Sequence, residues 1–408
     1  MRVLLLLLVA LSLAAPRLAS AQAVIDTTRG RYYQPIFSTV TVTSNVPYGS
    51  AVTYDGNTQQ LLMDIYQPAN DTVKRRPVII FAHQGGFILG SRTDAYMVSI
   101  CTRMAKLGYV TASIEYRLGI GATALFFGDT VALAKAAFRG MQDMRAAVRF
   151  FRNNAATTKT YRTNPNYIVV GGSSAGGFAA LETGYLDKLS EVPAYIGQAA
   201  LGGIEGTGGN PGYSSVPTAV LSLSGATETP QLIEPGNAPL FCAHGTADAT
   251  APYLQGKVGS FLPPKYVYGG GRLVPRAQAI GVRSTLLRFS KAGHIPFESS
   301  AAYADTTFWG IRDFLRPILR LSSPLATRSS TAAPLIQAYP NPAQEVMQLQ
   351  LPDTWAQLGE LELLDATGRV VRRVQPQAQH LQVERQGLAP GMYLLRFTGQ
   401  PPVRVAWE

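Results

Sequence analysis

The sequence predicts an α/β protein: a mostly parallel central sheet with helices on both faces, followed by a small all-β, sandwich-like domain. Three observations carry this. From about residue 24 to 320, short β-branched runs alternate with helix-like stretches, the rhythm of strands joined by crossover helices. Gly172-Ser173-Ser174-Ala175-Gly176 stands between one such run, Tyr167-Ile168-Val169-Val170-Gly171, and a helix-like stretch from Phe178. Beyond residue 334 the pattern shortens to alternating runs punctuated by turns.

Taken in order, the chain opens with Arg2, an apolar run over residues 3–15, and Ala19-Ser20-Ala21. That is the charged, apolar and small-residue order of a secretory signal, with cleavage expected after Ala21. The apolar run is broken by Pro16 and Arg17 and is too short to span a bilayer. No cysteine follows the cleavage point, which argues against a lipid anchor, and no later segment is apolar enough to cross a membrane. Residues 61–66 alternate in the manner of an antiparallel edge strand. Strands are then expected at 78–82, 109–114, 168–170, 219–223, 240–243 and 285–289, and helices at 97–107 and 143–152. Residues 322–334 have the Ser, Thr, Pro and Ala content of a linker. In the tail, strands are expected at 346–351, 361–364, 370–374 and 393–397, with turns at 365–368 and 388–391. The expected division is a signal at 1–21, an α/β domain at 22–320, a linker at 321–333 and a sandwich at 334–408.

Composition narrows the function classes. The only cysteines, Cys101 and Cys242, fall in elements expected to lie far apart, so they read as buried free thiols. A net charge of +11 invites a nucleic-acid partner, yet the 36 basic residues are scattered and pairs such as Arg76-Pro77 and Arg372-Arg373 read as ordinary surface. Neither Cys-x-x-Cys nor a histidine cluster occurs, so no metal or cofactor is implied.

A G-x-S-x-G between a strand and a helix is a nucleophile elbow. The turn is sharp enough to require glycine on either side, and it exposes the hydroxyl of Ser174 at the carboxyl edge of the sheet. A serine nucleophile needs a base, a carboxylate to orient that base, and amide donors for the oxyanion. Of the four histidines, His380 lies in the tail, leaving His83, His244 and His294. His294, in the loop after the strand at 285–289, is the expected base. Asp248, in the loop after the strand at 240–243, is the expected carboxylate, because the order Ser…Asp…His is then met. Asp305 follows the histidine and breaks that order, and His244 is expected to shape the aspartate loop. His83-Gln84-Gly85-Gly86-Phe87 follows the strand at 78–82, where an oxyanion loop belongs.

These residues resemble the α/β-hydrolase superfamily, in its esterase/lipase branch of hormone-sensitive-lipase-like and bacterial carbohydrate-ester esterases. The resemblance runs from about residue 61 to 297 and includes Asp64-Ile65-Tyr66-Gln67-Pro68, Glu115-Tyr116-Arg117-Leu118 and residues 143–149. It implies a Ser174, Asp248 and His294 triad, with Gly85, Gly86 and Ala175 as the oxyanion hole. The family usually has His-Gly-Gly-Gly, and Gln84 replaces the first glycine, either narrowing the acyl pocket or bonding substrate. In the tail, Ala338-Tyr339-Pro340-Asn341-Pro342-Ala343, Leu363 through Arg369 and Pro390-Gly391-Met392-Tyr393-Leu394 resemble the C-terminal sorting domain of bacterial type IX secretion. That implies the type IX machinery as a partner and a secreted or cell-surface destination. A carbohydrate-binding sandwich is the alternative, although only Trp355, Tyr393 and Trp407 stand out as aromatics there.

The implied function is a secreted serine carboxylesterase acting on short-chain or carbohydrate-linked esters, such as acetylated or feruloylated plant polysaccharides. A lipase on longer glycerides, a serine peptidase of the same fold and a non-catalytic surface-binding module are the alternatives. Residues 119–139, with Phe126 and Phe127, and residues 201–217 are expected to cap the site.

Overall fold

The computed structural model describes residues 25–259, 262–320, 336–339, 341–351, 356, 359–365, 369–397 and 402–408. The expected signal at 1–21 and linker at 321–333 lie outside them. Internal contacts divide the chain into two units, residues 1–324 and 325–408.

An eight-stranded sheet organises the first unit. Its strands are β1 (Val40–Val52), β2 (Thr58–Pro68), β3 (Arg76–Ala82), β4 (Val110–Ile114), β5 (Thr163–Ser173), β6 (Ala219–Leu223), β7 (Leu240–Gly245) and β8 (Ser284–Phe289). They lie in the order β1-β2-β4-β3-β5-β6-β7-β8. The pairs β1–β2 and β2–β4 are antiparallel and all later pairs are parallel. Every residue of β3, β4, β6 and β7 is buried, as a sheet covered on both faces requires. Successive side chains alternate between two cores: Val78, Ile80 and Ala82 face one, Ile79 and Phe81 the other. Helices α2 (Thr130–Ala156), α3 (Ala175–Tyr185) and α4 (Gly270–Ala279) cover the first face, and α1 (Ala95–Lys106) and α5 (Ala301–Arg320) the second. Cys101 and Cys242 are both free and buried, one under each face.

Four expectations are corrected. The segment 61–66 is antiparallel but not at the edge: β2 is flanked by β1, whose Thr, Ser, Asn and Pro47 obscure its alternation. Register shifts at Thr43/Val46 and Pro47/Gly49 accommodate that proline in an edge strand. Helix α2 begins 13 residues before Asp143, capped by Asp129, whose side chain accepts from the amides of Val131 and Ala132 at 2.8 and 3.1 Å. Arg76 is no surface residue: it is 1% exposed and donates to the Tyr161 carbonyl at 2.8 Å. Residues 201–217 form no cap. Gln142 donates to the carbonyls of Leu201 and Gly203, and Arg149 to those of Glu205 and Gly209, so the segment is tied to the flank of α2.

The second unit holds two antiparallel sheets. Strands β9 (Gln337–Tyr339), β10 (Val346–Gln350) and β13 (His380–Glu384) form one, ordered β9-β10-β13. The other is β12-β11-β14-β15, from β11 (Leu361–Leu364), β12 (Val370–Val374), β14 (Gly391–Phe397) and β15 (Val403–Trp407). Both sheets feed one core, with Met347, Leu349 and Val383 from the first and Leu363, Leu395 and Trp407 from the second. Trp407 is 2% exposed and edge-on to Tyr393 at 5.5 Å, so these two aromatics pack the sandwich and offer no outward platform.

Candidate active site

Strand β5 ends at Ser173 and α3 starts at Ala175, which leaves Ser174 as the whole turn, at φ 49° and ψ −115°. A β-carbon on Gly172 would stand 2.3 Å from the Gly176 carbonyl carbon, and one on Gly176 would stand 2.0 Å from the Ala82 carbonyl oxygen. Glycine is therefore demanded by close approach on both sides of the serine. Ser174 lies at the cap of α3, with the first-turn amide of Ala175 beside it.

The loops after β7 and β8 bring up the expected partners. His294 Nε2 stands 2.8 Å from Ser174 Oγ, and His294 Nδ1 is 2.8 Å from Asp248 Oδ2. The aspartate is closed to solvent, and its Oδ1 accepts from the amides of Thr250 and Ala251 at 2.9 and 2.8 Å. Burial alone would raise its pKa. Hydrogen bonds from His244 and His294 outweigh that and hold it down at about 2, so it stays ionised. His244 sits behind it, with Nε2 3.3 Å from Asp248 Oδ2 and 2.9 Å from the Ala251 carbonyl. The Gly270 amide donates to His244 Nδ1 at 3.3 Å, which leaves the ring proton on Nε2. His244 thus shapes the aspartate loop, as expected, and also bonds the aspartate itself.

After β3 the chain turns through Gly85, Gly86 and Phe87, all at positive φ. A β-carbon on Gly85 would meet the Leu89 carbonyl oxygen at 1.9 Å. Gly86 and Ala175 line one cleft with Ser174, while Gly85 lies a residue back in the turn, its carbonyl accepting from Ile88 and Leu89. The His83 carbonyl accepts from the Gly176 amide at 3.1 Å and the Tyr116 hydroxyl at 2.9 Å, which stitches this loop to the elbow. The His83 ring stacks on Tyr116 at 4.3 Å. Gln84 is held by Asp94: its Nε2 donates to Asp94 Oδ2 at 3.0 Å.

The stretches behind the sequence resemblance support this loop from below. Arg92 bridges Asp64 and Glu115 at 3.0 and 2.8 Å, and Arg117 bonds Asp143 through both its amide and its guanidinium. One group escaped the sequence reading. Ser173 donates to Glu298, four residues beyond His294, and burial pushes that carboxyl up. Nothing in the spacing pointed to it; only the fold brings the α5 side of the His294 loop under the elbow. His380 is exposed on β13, and Asp305 pairs with Arg103 at 2.7 Å on the surface of α5.

The cleft beside Ser174 has a volume of about 40 Å³ and is largely apolar, with Phe87, Leu133, Ala137, Phe178 and Val267 among its walls. Phe126 and Phe127 do not line it: they are 84% and 77% exposed, on and after a short helix at Ala122–Phe126.

The first unit has the α/β-hydrolase fold, and a stretch of each unit matches a known family. Residues 63–201 match the BD-FAE family, and residues 337–403 match the secretion system C-terminal sorting domain. The sorting domain marks the chain for the cell surface or the exterior, and no helix among the described residues is long and apolar enough to cross a membrane. Among curated proteins, the chain is 32% identical over 119 residues to carboxylesterase 3B of Mus musculus, covering 29% of this chain and 19% of that one. It is 32% identical over 127 residues to neutral cholesterol ester hydrolase 1 of Rattus norvegicus, covering 30% and 28%. The chain thus spans under a third of the length of these relatives. Among solved structures, esterase 2 of Thermogutta terrifontis, phosphorylated by paraoxon, superposes with a TM-score of 0.50 at 21% identity, over 68% of this chain and 94% of that one. That likeness concerns the fold.

Proposed function

We propose that the protein is an exported serine carboxylesterase working through an acyl-enzyme, on short-chain or carbohydrate-linked esters. The observation that carries this reading is the unbroken relay from Ser174 through His294 to Asp248, 2.8 Å at each step, at a strained elbow opening on an apolar cleft. Ser174 Oγ attacks the ester carbonyl while His294 Nε2 takes its proton, and Asp248 stabilises the imidazolium without being protonated. The carbonyl oxygen, now an oxyanion, is held by amides of the Gly85-Gly86 turn and of Ala175. His294 then gives its proton to the leaving alcohol, and water repeats the cycle to release the acid. Export through the sorting domain favours esters met outside the cell, among them those on plant polysaccharides.

Hydrolysis of p-nitrophenyl acetate, butyrate and palmitate, with Ser174→Ala alongside, tests this. Short-chain turnover falling by about 10³-fold or more in the variant is the expected result, since triad members act as a unit. Turnover indifferent to Ser174 would falsify the mechanism. One observation favours a second reading, a lipase at lipid surfaces: the exposed, edge-on pair Phe126 and Phe127. A preference for palmitate that Phe126→Ser with Phe127→Ser removes is the outcome that would select it.

A further inference from the structure

Most of the cleft beside Ser174 is apolar, yet Glu182 stands in its lining. Ser174, Phe178 and Glu182 recur at intervals of four along the elbow and α3, so they share one helix face. Eight residues of helix rise ~12 Å, and helical side chains lean toward the N-terminus, so Glu182 reaches back along the cleft toward the nucleophile. A neighbouring hollow, lined by Phe138, Ile196 and Leu232, meets the cleft at Ala134, Glu182 and Glu228.

Glu182 Oε2 is closed to solvent and has no hydrogen-bond partner. The charged groups around it are engaged elsewhere. Glu228 pairs with Lys265 at 3.1 Å and accepts from the Tyr195 hydroxyl, and Lys265 also reaches that hydroxyl at 2.6 Å. Arg145 is held by Glu205 at 2.7 Å and by the Leu186 carbonyl at 2.8 Å. Burial first, and the charge of Glu228 second, push the Glu182 carboxyl up to about 8. At neutral pH it is therefore a protonated acid that can both donate and accept. A buried polar group with nothing to bond is costly, and a ligand group of matching chemistry removes that cost.

The chemistry also fixes which half of the ester meets it. The leaving alcohol has to lie against His294, which protonates it. The cleft runs along the elbow helix from Gly86 and Ala175, and His294 is not among its lining residues, so in this reading it takes the acyl half.

We propose that Glu182 is a specificity residue that selects acyl groups bearing a hydroxyl at their far end over plain alkyl chains. This rests on the serine-hydrolase reading above. The hydroxyl bonds the Glu182 carboxyl while the chain between lies along Phe178 and Leu133.

The test compares kcat/KM for methyl 6-hydroxyhexanoate and methyl hexanoate, followed by acid release at pH 7, in the full-chain protein and in Glu182→Leu and Glu182→Gln. The expected result is a preference of about 10-fold for the hydroxy ester. Glu182→Leu abolishes or reverses it, and Glu182→Gln, which also donates and accepts, keeps it. The glutamine variant also guards against a leucine variant that fails to fold. A wild-type ratio near one, or one unchanged by leucine, overturns the proposal while leaving the hydrolase reading intact. A stronger preference for the 6-ammonio ester, lost in Glu182→Gln, overturns it in favour of a cation site. Hydrolysis of neither ester overturns the hydrolase reading and the proposal with it.

Discussion

Asp248 and Glu182 are two carboxyl groups withdrawn from water against the same cleft, and the protein drives them in opposite directions. Asp248 sits in a tight loop among four donors, two backbone amides and two imidazoles, and is held at about 2. Glu182 sits on a helix face with no partner for Oε2 and another carboxylate nearby, and is pushed to about 8. Burial acts alike on both; the difference is the number of donors aimed at each oxygen. One end of the site is completed by the protein, and the other is left for a ligand to complete.

The sharpest way to break this contrast is the same isosteric change at each end. Asp248→Asn is expected to lower kcat by about 10³- to 10⁴-fold, because the amide misdirects the His294 tautomer. Glu182→Gln is expected to cost no more than about tenfold on any ester, and in KM rather than kcat. Equal losses in steady-state kinetics would dissolve the distinction between the two ends. A smaller effect follows from thinning the donors around Asp248. His244→Phe removes one, and kcat should fall about tenfold, the worth of one charge-assisted hydrogen bond. The acid limb of the kcat/KM profile should also move to higher pH as the aspartate becomes more basic. The smallest effect is on stability. An unfolded glutamate titrates near ~4.3, so folded Glu182, at about 8, keeps a proton the unfolded chain has lost. Its contribution to stability therefore falls as pH rises between those values. Thermal unfolding should show Glu182→Gln gaining a few degrees more over wild type at pH 9 than at pH 5. Asp248 runs the other way: its stabilisation is present above about pH 4 and is lost as pH falls through about 2.

The first end of the site was legible in the sequence and the second was not, for a physical reason. An elbow demands glycines at fixed offsets, and a relay on this sheet demands its residues after particular strands, so Ser174, Asp248 and His294 announce themselves by spacing and order. The glycines after β3 are legible for the same reason. Glu182 lies on a helix among ordinary residues, where a glutamate reads as a solvated face. Only the approach of α2, Glu228 and Lys265 makes it a half-buried acid with one oxygen closed to solvent. The same blindness hid the first half of α2, where Arg139 and Gln142 look like a wet face yet are buried and donate to the carbonyls of Gly119, Leu201 and Gly203. Strand β1 was missed because an edge strand carries little apolar alternation. Its omission made β2 look like the border of the sheet.

Thr250 and Ala251 serve on both sides of this division. Their amides grip Asp248, and the same two residues form part of the cleft wall. Whatever fills the cleft therefore presses on the same turn that aims the carboxylate. The shape of the cleft and the aim of the relay thus share a single stretch of backbone, so a substitution at Thr250 or Ala251 cannot change one without touching the other.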